Sequence, residues 1–119
     1  MISDMDVFKV LDAMARHAVE TQRVSAVNVS RAAEPGYKAM EVESFDAFMA
    51  RAKQAAGSDG LAQPFRTFEM NTPSAPNGNS VSVEQELYKS AEATGQHTLA
   101  VTTYAKTLDL MRMAISGRR

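Results

Sequence analysis

The only two imidazoles of the chain, His17 and His97, stand eighty positions apart. Neither has a spaced set of carboxylates beside it, which a zinc site built on two histidines would need. There is no cysteine, so thiolate nucleophiles, thiolate metal ligands and disulfides are excluded. No Gly-x-Ser-x-Gly elbow presents a serine. No glycine-rich loop of phosphate-binding spacing opens a helix. The acidic side chains follow helix surfaces and helix starts instead of converging. The sequence therefore predicts no catalytic, cofactor-binding or metal-ligating residues; an enzyme would require a pocket with convergent titratable groups. Both histidines read as structural or solvent-facing. Of the eight methionines, Met5, Met14, Met49, Met111 and Met113 read as adaptable packing on helices.

What is organised in this sequence is helix. From Ser82 to Ile115, the residues Leu87, Ala91, Thr94, Thr98, Val101, Ala105, Leu108, Arg112 and Ile115 recur at alternating four- and three-residue steps. That spacing is the seam of a long helix meeting a partner helix. Ser82-Val83-Glu84-Gln85 reads as a capping box at its start. The first element, from about Asp6 to Ala32, carries a second seam: Phe8, Leu11, Ala15, Ala18, Gln22, Ser25, Val29 and Ala32. Asp12, Arg16 and Glu20 stand four apart on its outer side and predict exposed ion pairs. In both seams, small or polar positions outnumber large apolar ones. Gly95 and five threonines further weaken the C-terminal helix. Each helix therefore needs a neighbour, either the other helix or another copy.

The 119 residues suit one domain. Hydrophobic content is 45%, much of it alanine, and five Phe, three Tyr and no Trp supply few aromatics for a compact core. A net charge of −1 gives no global field toward nucleic acid or an anionic membrane. The acidic opening Met1–Asp6 predicts no cleaved secretory signal. No apolar run approaches the ~20 residues of a membrane span.

Between the helices, Pro35-Gly36 predicts a type II turn, with the first helix ending by about Ala33. Ser44 can cap a short helix carrying Phe45, Phe48, Met49, Ala52 and Ala56 on one stripe, with Gly57 as its stop. Ser58-Asp59-Gly60 reads as a turn. Phe65–Met70 is a candidate short strand. Asn77-Gly78 is a hairpin signal that would join it to Ser80–Val83. The breaker-rich stretch around residues 57–80 predicts a poorly packed segment. The fold expected is mainly α: long N- and C-terminal helices forming a coiled-coil-like pair, with a short irregular middle holding a small helix and a possible short β-hairpin. Its three parts are 1–33, the N-terminal helix; 34–80, the variable middle; and 81–119, the C-terminal helix.

Two stretches carry a family resemblance. Asn28-Val-Ser-Arg-Ala-Ala-Glu-Pro-Gly-Tyr-Lys38 is similar to the Asn-Ile-Ala-Asn-Ala-x-Thr-Pro-Gly-Tyr-Lys signature of the axial proteins of the bacterial flagellum. It matches at Asn28, Ala32, Pro35, Gly36, Tyr37 and Lys38, and departs at Arg31 and Glu34. Val42-Glu-Ser-Phe-Asp-Ala-Phe48 resembles the segment next to that signature in the proximal-rod, FlgB type. Asn77-Gly-Asn-Ser-Val-Ser-Val-Glu-Gln-Glu86 is similar to the Asp/Asn-Gly-Asn-x-Val-x-Leu/Val-x-x-Glu stretch that precedes the terminal helix of such rod proteins.

The resemblance covers nearly the whole chain. It implies a structural subunit of the flagellar basal-body rod, stacking helically into a drive shaft around the export channel. Its implied partners are copies of itself, other flagellar rod proteins, and basal-body export-gate or adaptor proteins. It would be exported by the flagellar type III apparatus without a cleaved signal. No cofactor is implied. Phe8, Leu11, Val29, Leu87, Val101, Leu108 and Ile115 are the expected helix-pairing and assembly residues. Asn28, Pro35, Gly36 and Tyr37 are expected to shape the turn that launches the middle segment. The alternatives are another rod-type axial subunit, such as the FlgC type, and a soluble helical-hairpin adaptor.

Overall fold

The computed structural model describes residues 4–55 and 60–117. Helix α1 spans Asp4–Ser30 and helix α3 spans Val83–Ser116. The two run antiparallel: Asn28 meets Glu86, Gln22 donates to Thr94, and Phe8 packs on Tyr104 with ring centroids 4.6 Å apart. At about 1.5 Å per residue α3 is roughly 50 Å long. It accounts for most of the long dimension of a thin molecule measuring 69 × 31 × 15 Å. The protein is thus mainly helical, with long terminal helices packed together around a small middle, as the periodicity implied.

The contact between the helices has a different phase from the expected one. Toward α1, α3 turns Glu86, Ala93 and Ala100, spaced by sevens and all buried. From α1, Ala18, Ser25 and Asn28 are buried, as are Ala13 and Val24. The C-terminal stripe chosen for its large side chains lies along the flank of this contact. Leu87, Val101 and Ile115 are 50–70% exposed, and Leu108 is half-buried. The reason is steric. Alanines let two backbones approach closely, and large side chains are displaced to the side. Val29 is also exposed, whereas Phe8 and Leu11 are half-buried, Phe8 against Tyr104 of α3.

The middle packs on α1. Strand β1 (Met40–Val42) pairs antiparallel with β2 (Thr67–Glu69) in the register Met40 to Glu69, Glu41 to Phe68 and Val42 to Thr67. The strand expected within 65–70 is therefore present. Its partner is not Ser80–Val83 across an Asn77-Gly78 hairpin but the segment just after the Pro-Gly turn. Helix α2 (Phe45–Lys53) is capped by Ser44, whose hydroxyl accepts from the Ala47 amide at 3.1 Å. It ends at Gln54, earlier than the expected stop at Gly57; Ala56, Gly57, Ser58 and Asp59 lie outside the described residues.

Phe48, fully buried, is the centre of a small aromatic core. Phe65 stands 4.5 Å from it and Phe45 6.1 Å, while His17 of α1 meets the edges of both Phe45 and Phe65. Arg16 of α1 lies over Phe65 and donates to the Leu61 carbonyl at 2.6 Å. The few aromatics thus fasten the middle to α1 more than they join the two long helices.

Candidate functional site

The residues of the two motif stretches, 58 positions apart at Asn28 and Glu86, fold into one polar clasp. Asn28 is completely buried, and all four of its hydrogen-bonding capacities are used. Its amide nitrogen donates to the Met40 carbonyl at 2.8 Å and to Glu86 Oε1 at 2.9 Å. Its oxygen accepts from the Met40 amide at 3.0 Å and from the Tyr37 hydroxyl at 2.9 Å. The side chain thus acts as an extra strand for Met40, which fixes where β1 begins. Glu86, 1% exposed, is completed by Lys89 at 3.1 Å. A buried carboxylate is tolerated only with such partners.

Asn79 closes the other side. Its amide donates to the carbonyls of Arg31 and Glu34 at 2.9 and 2.7 Å, and its oxygen accepts from the Val81 amide at 2.8 Å. It thereby adds a second donor to two carbonyls of the turn that follows α1, which already accept from the Glu34 and Tyr37 amides, and ties that turn to the second motif stretch. The backbones are also stitched directly. Gly36 N–H donates to the Asn77 carbonyl at 2.9 Å, Ser80 N–H to the Tyr37 carbonyl at 3.0 Å, and Ala39 N–H to Ser80 Oγ at 2.8 Å. Lys38 Nζ reaches Ser74 Oγ and the Gly78 carbonyl. The stretch around 77–80 is therefore not poorly packed; Asn79 and Ser80 are buried.

The Pro35-Gly36 turn is type II as read. Tyr37 N–H donates to the Glu34 carbonyl at 3.3 Å, and Gly36 has φ of 77°. Gly78, at φ 86°, sits back to back with it; a Cβ on Gly78 would lie 3.3 Å from Gly36 Cα. Pro35 is exposed at the corner. The two departures from the family signature, Arg31 and Glu34, face each other at 4.0 Å on the surface, and Arg31 also covers the Tyr37 ring. Their backbone carbonyls, not their side chains, carry the clasp.

Beside the clasp lies a second polar centre that the sequence reading missed. Glu43, buried, accepts from Arg51 and from the Arg66 amide at 2.9 Å. Burial pushes its carboxyl up, but the hydrogen bonds from Arg51 and Arg66 and their charges outweigh burial and hold it below the usual carboxylate range. The Glu43 carbonyl is 2.7 Å from His17 Nε2, so this imidazole is structural. On the outer side of α1, Arg16 pairs with Asp12 as expected. Glu20 instead pairs with Arg23, whose hydrogen bond holds the Glu20 carboxyl low.

A groove of about 410 Å³ opens between α1, the β1–α2 corner and α3. His17, Glu41, Asp46, Lys89 and Glu92 are among its lining residues. Among the described residues no three histidine or carboxylate side chains gather as a metal site, and no helix is long and apolar enough to cross a membrane.

Of the residues singled out in the sequence, the structure brings Asn28, Tyr37 and Gly36 together, with Phe8 and Leu11 at the far end of the helix pair. It leaves Leu87, Val101, Ile115 and Val29 facing outward. Glu86, Asn79 and Ser80 are the clasp members given no role from sequence. Their signal was their position inside the second motif stretch.

What fold and clasp define is a class: an antiparallel pair of long terminal helices locked at one end by two loop motifs, with apolar side chains left outside. No protein-family model matches the chain, and no curated protein matches it at a significant level.

Proposed function

We propose that this protein is a structural subunit of the proximal rod of the bacterial flagellar basal body, of the FlgB type. Its copies stack helically with other rod proteins into the shaft that transmits motor torque and encloses the export channel. The subunit reaches that place through the flagellar type III apparatus, meeting export-gate and adaptor proteins at the base.

The observation that carries this reading is the clasp. The two stretches that resemble axial-protein signatures are not independent surface loops; they satisfy one another's buried polar groups. This gives those residue types a physical purpose, which is to fix the angle at which the middle leaves the helix pair. A repeating assembly needs every subunit to present its two different contact surfaces in a fixed relation. The outward-facing Leu87, Val101 and Ile115 on one flank supply apolar surface for such contacts.

Deleting the gene in its native cells tests the reading. The expected result is cells without any rod beyond the export gate, non-motile and rescued by the intact gene. Complete rods and normal swimming in the deletion strain would overturn it.

A further inference from the structure

The side of α3 turned away from α1 carries a pattern distinct from the flank that holds Leu87, Val101 and Ile115. Tyr88, Leu99 and Leu110 recur at eleven-residue steps, and so do Ala91, Thr102 and Met113. Eleven residues make almost three whole turns, so the two rows form one straight stripe along the helix. The large members are 58–69% exposed, which is unusual for residues of this kind in register. Gly95 lies on the same stripe. A Cβ there would meet nothing within 4 Å, so the fold gives no reason for a glycine, which weakens a helix interior relative to alanine. Close approach of another helix would.

We infer that this stripe pairs with the same stripe of a second copy, antiparallel, about a two-fold axis at Leu99. The charges select both the partner and the direction. Glu92 and Lys106 are equidistant from Leu99, as are Tyr88 and Leu110. An antiparallel pair therefore sets Glu92 of each copy against Lys106 of the other, twice. It also sets Tyr88 against Leu110 and lays Gly95 against Thr103, one turn from the axis. A parallel pair would set Glu92 against Glu92 and Lys106 against Lys106. The contact is isologous, unlike the stacking contacts of the proposed rod, and it does not depend on that reading. One helix face covers only a few hundred Å² per copy, below the roughly 800 Å² of a standard interface, so the dimer is weak and exchanges rapidly.

The test uses the full chain, which has no cysteine of its own. Single variants Leu99→Cys and Val101→Cys are treated with a short bifunctional maleimide at tens to hundreds of micromolar protein. The Leu99→Cys chain is expected to give a covalent dimer, and the Val101→Cys chain, on the flank, is not. Sedimentation of cysteine-free chains gives the association constant. Glu92→Lys and Lys106→Glu are each expected to weaken it by at least about tenfold, and the double exchange to restore it. Circular dichroism checks that each variant keeps its helix. A parent chain that is monomeric throughout, preferential linking through Val101→Cys, or a double exchange no better than either single overturns the pairing. If the charge variants lose helix, linking of the Leu99→Cys chain alone decides. Motility of the deletion strain is a separate readout, so the rod reading and the dimer stand or fall independently.

Discussion

Asn28 shows how a single side chain can set a geometry. A buried amide with four partners has only one orientation that satisfies them, because Met40 both donates to it and accepts from it while Glu86 can only accept. Asn28→Ala leaves Glu86, the Tyr37 hydroxyl and Met40 short of partners. Each buried group so orphaned costs about 1–3 kcal/mol. Thermal or denaturant unfolding is expected to show a loss of about 3 kcal/mol or more, well beyond a typical surface substitution.

Glu43 makes a second residue-scale prediction, in pH. Its folded carboxyl is held below the ordinary value of 4.5, so the unfolded chain takes up the proton first as pH falls. Its contribution is complete above pH 4.5 and is lost as pH drops through the folded value. Unfolding measured from neutral pH down into the acid range should show stability falling below about 4.5, with a shallower fall in Glu43→Gln. An equal slope in both proteins would remove the assignment.

At the scale of elements, the clasp depends on two glycines at positive φ, set back to back. Gly36 has open space around its missing side chain, so substitution there costs conformation and not collision. Gly36→Ala should be mild, about 1 kcal/mol, whereas Gly36→Val, β-branched, is expected to displace the turn. The measurable sequel is loss of motility in the Val variant, with the Ala variant near normal. Much of this level was legible in the sequence: Ser44 and Ser82 announced two helix starts, and Pro35-Gly36 announced its turn type. The phase of the α1–α3 contact was not legible, for a physical reason. Hydrophobic periodicity finds the largest apolar side chains, and this contact is made by Ala93, Ala100 and a carboxylate, Glu86, whose partner Asn28 lies far away in sequence. The partner of β2 was hidden for a similar reason. Asn77-Gly78 is a strong local signal and does form a turn, with Gly78 N–H on the Ala75 carbonyl. But β1 is held by Asn28, and no short-range pattern records that bond.

For the whole molecule, the decisive feature is that the interior and the apolar surface of α3 are different sets of residues. In an ordinary two-helix hairpin, substituting the large apolar side chains of the seam would unfold the protein, so stability and assembly could not be tested apart. Here they can be. Val101 is half exposed on the flank, and its neighbours toward α1 are alanines that already fill the contact. Val101→Asp should therefore change unfolding by no more than about 0.5 kcal/mol, the usual range for a surface position. In the proposed rod it should still abolish incorporation of the subunit and swimming, because a carboxylate desolvated in an intersubunit contact without a partner costs several kcal/mol. Leu108, on the same flank stripe, is half-buried. Leu108→Asp is expected to stop assembly and motility as well, with a measurable loss of stability and little effect on export. The comparison separates two accounts of α3. If Val101→Asp unfolds the chain as much as Leu108→Asp does, the flank is interior after all. If Val101→Asp is both stable and motile, the flank is not a contact surface, and the proposed rod assembly loses the apolar face on which it was argued.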